Sequence, residues 1–156
     1  MEDLNHYLSS EALIHLLVKT VSNGGNLCLN VGPTADGRIP VIQQQRLLDI
    51  GQWLMVNGDA IYGTKHWKNE PTKSPDSPLH FTQNNTNLYA ILTSWSQKPI
   101  EIEKVEKPTS VVLLGYNGVV KYKWAKQKLT IYPPLVSPSQ HKITAAWSFK
   151  IENALN

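Results

Sequence analysis

The spacing of apolar positions changes character once along the chain, near residue 68. In "SSEALIHLLVKTVS" the residues Leu13, Ile14, Leu16, Leu17, Val18 and Val21 recur at helical spacing and form one broad face. Ser9 or Ser10 can cap the first free amides, Glu11 suits the positive end of the helix dipole, and Asn23-Gly24-Gly25 stops the helix. "NLCLNV" (26–31) has the length of a strand. Pro40 fits the first turn of a second helix, whose stripe is Leu47, Ile50 and Leu54 and whose stop is Asn57-Gly58. Helix, strand, helix with short connections is the order of an α/β protein with parallel strands. One parallel strand needs neighbours for its backbone groups and cover on both faces. This unit therefore requires further strands, and residues 1–66 taken alone are expected to be weakly stable.

Beyond it, "KNEPTKSPDSP" (68–78) has no apolar period and reads as a linker. Short β-type runs follow: "LHFTQ", "NLYAILTSW", "IEIEKV", "SVVLLGY", "VVKYKWA", "KLTIYPP" and "ITAAWSFKI". "NNTN", "YNG" and "KQK" supply turns between them. Ile100, Ile102 and Val105 alternate with Glu101 and Glu103, the pattern of a strand with one face in a core. Seven short strands with regular turns predict an antiparallel β-sandwich. The expected fold is thus α/β followed by all-β, divided at 1–67, 68–78 and 79–156.

Composition refines this picture only a little. With 156 residues, 41% hydrophobic and 17% charged, the chain is that of a folded protein holding one domain, or the end of one joined to a small second. The net charge of +3 comes from scattered lysines (Lys104, Lys107, Lys121, Lys123, Lys126, Lys128), which match no nucleic-acid-binding motif. No window reaches the roughly 18 apolar residues of a membrane span, and "MEDLNHYLSS" is too polar for a signal peptide. Neither nucleic acid nor membrane is expected as a partner. Cys28, the single cysteine, rules out an internal disulfide and reads as a small buried hydrophobe. His6, His15, His66, His80 and His141 show no metal-ligand spacing, so neither metal nor cofactor is expected. Asn84-Asn85-Thr86 is a glycosylation sequon, which makes Asn84 a candidate acceptor in a secretory protein.

Candidate chemistry gathers in one place. Hydrolysis of a glycosidic bond usually takes two carboxylates. Of Glu2, Asp3, Glu11, Asp36, Asp49 and Asp59, only Asp36 follows the C-terminal end of a predicted strand, where α/β barrels place catalytic groups. Asp-Gly is also a standard turn pair, and for Asp36-Gly37 the turn reading outweighs the catalytic one. In a strand over 26–31, Asn26, Cys28 and Asn30 share one face, and Leu27, Leu29 and Val31 share the other. Asn30 would then point toward a substrate or hydrogen-bond the loop after it. Trp95, Trp124 and Trp147 could stack on sugars, but as single aromatics in strands they read first as packing.

Residues 7–67, "YLSSEALIHLLVKTVSNGGNLCLNVGPTADGRIPVIQQQRLLDIGQWLMVNGDAIYGTKHW", resemble the α-L-fucosidases of glycoside hydrolase family 29. "GGNLCLNVGPTADG" followed by "RLLDIGQWLMVNGDAIYGT" carries the resemblance, and the β-rich remainder fits that family's C-terminal domain in length and order. The resemblance implies that 1–67 is the C-terminal end of a catalytic (β/α)8-like barrel and 79–156 a β-sandwich. It implies removal of terminal α-L-fucose with retention, fucosylated glycans as partners, lysosomal or secreted location, and a candidate homo-oligomer. The nucleophile and the acid/base belong to barrel segments that it places upstream of Met1. No catalytic residue is therefore assigned here, and the chain alone is expected to be inactive. Asn30, Gly32 and Pro33 are the candidate wall of the sugar pocket. The alternative is a non-catalytic, lectin-like β-sandwich that binds glycans on its own.

Overall fold

A computed structural model describes residues 7–69, 77–135 and 145–155. Met1–His6, the middle of the linker (70–76), His141, and Ile143 and Thr144 of the last predicted strand lie outside the described residues.

Helix α1 (Ser10–Ser22) starts where Ser9 Oγ accepts the amide of Ala12 at 3.0 Å. It ends where Asn23 and Gly24 turn their amides back onto Lys19 and Val21, with Gly24 at φ +83°. Helix α2 (Val41–Asn57) begins after Pro40 and runs into a single 3-10 turn, Gly58–Ala60. Eight strands follow among the described residues: β1 (Lys65–His66), β2 (Leu79–Asn84), β3 (Asn87–Leu92), β4 (Ile100–Glu103), β5 (Ser110–Leu113), β6 (Lys121–Ala125), β7 (Lys128–Tyr132) and β8 (Trp147–Glu152).

Among the described residues all pairings are antiparallel, in two sheets ordered β1-β2-β3-β8-β5 and β4-β7-β6. Inward residues of both sheets meet in one core: Phe81, Leu88 and Phe149 from the larger, Ile102, Leu129 and Ile131 from the smaller. Strand β4 keeps the alternation expected of it, with Ile100 and Ile102 buried and Glu101 and Glu103 exposed. The sheet also begins earlier than Leu79, because Lys65 and His66 pair with Gln83 and Thr82.

The larger sheet is covered on its other face as well. Ile14 and Val18 of α1 and Trp53 of α2 pack on Tyr89 and Ile91 of β3, with Ala145 and Ala146 beside them. Residues of β3 therefore alternate between two cores, and Leu88 through Leu92 are all buried. Trp53 is fully buried, and its indole donates to the Ala146 carbonyl at 2.9 Å. Thr82 donates to the Ala60 carbonyl at 2.7 Å, and a His15 ring nitrogen lies 2.7 Å from the Ala145 carbonyl. Where the end of α2 meets the chain after β5, Gly115 sits at φ +78°, and a Cβ there would fall 2.5 Å from Val56. Only glycine meets both conditions.

One expected element is missing. Residues 26–31 form no strand with any described residue. A strand is defined by its ladder, and none of the described residues offers one to this segment. The helix-strand-helix unit is thus reduced to two helices and a connecting segment laid on a mainly antiparallel β structure.

Candidate functional site

The segment keeps the parity of a strand only at its ends. Leu27 and Val31 are half-buried, whereas Asn26, Cys28, Leu29 and Asn30 are exposed, and Leu29, Asn30 and Val31 line one cleft together. Cys28 is consequently an exposed free thiol and not the buried hydrophobe expected.

The loop after it is built by short-range bonds. Thr34 and Arg38 pair through the Thr34 amide and the Arg38 carbonyl at 2.8 Å, and the Gly37 amide returns to the Thr34 carbonyl at 2.8 Å. Gly37 takes φ +78°, the left-handed conformation such a turn requires. Asp36 accepts from the Thr34 hydroxyl at 2.5 Å and faces the Arg38 guanidinium at 3.1 Å. Its carboxylate is committed to the turn, in keeping with the Asp-Gly reading.

Three candidate wall residues lie on this segment. Asn30 lines a cleft of about 200 Å³ together with Leu13, Leu29, Val31, Gln43 and Arg46. Gly32 donates its amide to the Gln43 side chain at 2.9 Å, which ties the loop to the first turn of α2. Pro33 is exposed beside it. The structure thus brings Asn30 and Gly32 to the same side of α2, while Pro33 makes no described polar contact of its own.

Sequence reasoning missed the polar group behind the cleft. Arg46 donates to the Leu8 carbonyl at 3.0 Å and to the Ser10 hydroxyl at 3.2 Å. Ser10 in turn donates to Asp49, which also accepts from Gln45 at 2.7 Å. The Ser10 and Gln45 hydrogen bonds, with the Arg46 charge 3.9 Å away, hold the Asp49 carboxyl below its ordinary range. The i,i+3 and i,i+4 spacings of Arg46 and Gln45 to Asp49 were the available signal.

The other candidates lie elsewhere. Trp95 and Trp147 pack against each other with ring centres 5.3 Å apart, and Trp95 stacks on Phe149 at 6.3 Å. Trp124 donates to the Val105 carbonyl at 3.1 Å. All three are half-buried against the sandwich core. Asn84 is the last residue of β2, at the turn into β3. A second cleft, of about 340 Å³, opens at one end of the sandwich between Trp67, Gln83, Lys104 and Glu106. No helix among the described residues is long and apolar enough to cross a membrane.

Known proteins resemble this chain along nearly its whole length. Residues 1–59 match the family model described as Alpha-L-fucosidase, and residues 72–152 match Alpha-L-fucosidase C-terminal domain. The chain is 44% identical to a human plasma alpha-L-fucosidase over 158 residues, covering 97% of this chain and 34% of that protein. It is 35% identical to an alpha-L-fucosidase of Branchiostoma floridae over 156 residues, at 97% and 34% coverage. Among solved structures, the Thermotoga maritima alpha-fucosidase in complex with fucose superimposes with a TM-score of 0.76 at 33% identity, covering 96% of this chain and 36% of that one. The chain spans about a third of the length of the curated relatives it matches.

Proposed function

This chain belongs to the α-L-fucosidase family, its later residues corresponding to that family's C-terminal domain, and from that premise we propose that it is the non-catalytic part of a retaining α-L-fucosidase. The parent enzyme removes terminal α-L-fucose from glycoconjugates in a lysosomal or secreted setting. The observation that carries the reading is the collinear match of both halves across 96–97% of the chain. The human and rat relatives described as plasma enzymes, and the tissue enzymes beside them, favour that setting.

Retention requires two carboxyl groups about 5–5.5 Å apart, so that one can attack the anomeric carbon directly. Asp36 is the carboxylate of the rim loop, and the turn holds it. Asp49, behind the cleft, is bound by Ser10 and Gln45. The nucleophile and acid/base then come from the longer part of the parent. This chain contributes the rim, with Asn30 facing the sugar and the Gly32–Pro33 backbone shaping the wall.

Two measurements test this. Asn30→Ala in the full-length parent should raise KM for an aryl α-L-fucoside roughly fivefold, the equivalent of one net hydrogen bond of about 1 kcal/mol. An unchanged kcat/KM would remove Asn30 from the site. Purified chain 1–156 should release no nitrophenol from the same substrate, and clear release would overturn the assignment of catalysis to the rest of the parent.

A further inference from the structure

Asn84, Asn85 and Thr86 form the sharpest connection in the larger sheet. Asn84 closes β2 opposite Asn87 of β3, which leaves Asn85 and Thr86 as the two turn residues. Asn85 takes φ +52°, and both turn residues are exposed, while Asn84 is half-buried. The turn is fastened from one side by the chain beyond β8. Thr86 donates its hydroxyl to Asn153 Oδ1 at 2.8 Å, and the Leu155 amide donates to the Thr86 carbonyl at 3.0 Å. Asn153, itself at φ +54°, donates its amide to Asn87 Oδ1 and its side-chain nitrogen to Thr109, each at 3.2 Å.

We propose that Asn84 is an N-glycosylation site that is open only until residues 153–155 close over the turn. An Asn-X-Thr acceptor must be free to leave its own fold and enter the transferring enzyme, with its hydroxyl free to engage that enzyme. Both conditions fail in the folded chain, where Asn84 is locked in the β2–β3 ladder and the Thr86 hydroxyl is already committed. Both hold earlier. Asn153 follows Thr86 by 67 residues, so at about 5–20 residues per second the acceptor emerges roughly 3–13 s before the segment that locks it. In the step itself a bond forms between Asn84 Nδ2 and C1 of the donor sugar. The bond from C1 to the pyrophosphate oxygen breaks, the amide loses a proton, and the lipid-linked pyrophosphate departs. The donor is a polyprenyl-pyrophosphate oligosaccharide, present only along a secretory route, so this inference rests on the setting proposed above for the parent.

The decisive experiment starts with the parent protein from its native source, treated with a peptide N-glycosidase in heavy-oxygen water. The tryptic peptide spanning residue 84 should carry a labelled aspartate there. An unmodified Asn84 in a protein that bears other N-glycans overturns the inference and leaves the secretory setting standing. A protein with no N-glycan anywhere overturns both. Timing is read on chain 1–156 purified from a bacterial cytosol, incubated with oligosaccharyltransferase and the lipid-linked donor. Chain diluted from urea should accept the sugar, folded chain should not, and T86V should accept it in neither state. Equal modification of folded and unfolded chain would refute the lock.

Discussion

Trp53 joins the helices to the sheet, and its removal has a calculable cost. A tryptophan side chain of zero exposure buries about 150–250 Å². At about 25 cal/mol per Å² that is roughly 4–6 kcal/mol, and allowing for a compact unfolded chain lowers it to about 3–5 kcal/mol. Trp53→Ala also orphans the Ala146 carbonyl that the indole satisfies at 2.9 Å. The expected loss is about 4 kcal/mol, or some 8–16 °C in Tm for a chain of this size. Trp53→Phe keeps an aromatic ring but not the donor, and should cost about 1–3 kcal/mol. Urea unfolding of chain 1–156 followed by far-UV circular dichroism measures both, with the exposed Met55→Ala as a control near zero. Amide exchange adds a spatial test: in the alanine variant α1 and α2 should lose protection while the β5–β8 ladder retains it. A Trp53→Ala loss under about 1 kcal/mol would refute the claim that this contact couples the layers.

Two further outcomes follow from the cleft. The Asp49 carboxyl is held below its ordinary value of 3.8, so its contribution to stability is present above that pH and disappears as pH falls through the lower folded value. The stability gap between the wild-type chain and Asp49→Asn should therefore narrow below about pH 4, and a gap independent of pH would contradict the hydrogen-bonded assignment. Gln43→Ala removes the acceptor of the Gly32 amide, so that amide should exchange faster while those of α1 stay unchanged. Equal rates in both proteins would show that the side chain does not hold the loop.

Much of the β half was legible because its strands are short, turn-bounded and alternate where one face is wet, as Ile100–Glu103 does. Strand β3 showed no alternation, and the reason is that both of its faces are covered. The stripe read on α2 held at Ile50 and Leu54, where Trp53 and the buried Asn57 join it, but not at Leu47, which lies at the cleft and is 39% exposed. A helical period fixes the width of an apolar face but not which of two neighbours receives it. The segment 26–31 had the composition of a strand, yet composition cannot provide the partner that makes one. At the rim, the turn around Asp36 could be read from adjacent residues. The Arg46 contacts with Leu8 and Ser10 span 38 and 36 positions, and no local pattern reveals them.

The strand clad on both faces has a consequence for how this chain can be recombined with its relatives. Tyr89 and Ile91 are read by the helices, and Leu88, Ala90 and Leu92 by the opposite sheet. A chimera cut in the stretch before β2 would join one parent's helices to another parent's β3, and mismatched shapes would meet along Trp53, Tyr89 and Ala146. The workable crossover keeps Tyr89, Ile91, Ala145 and Ala146 from whichever parent supplies α1 and α2. Inheritance along β3 then alternates residue by residue, so one strand carries residues matched to two different layers.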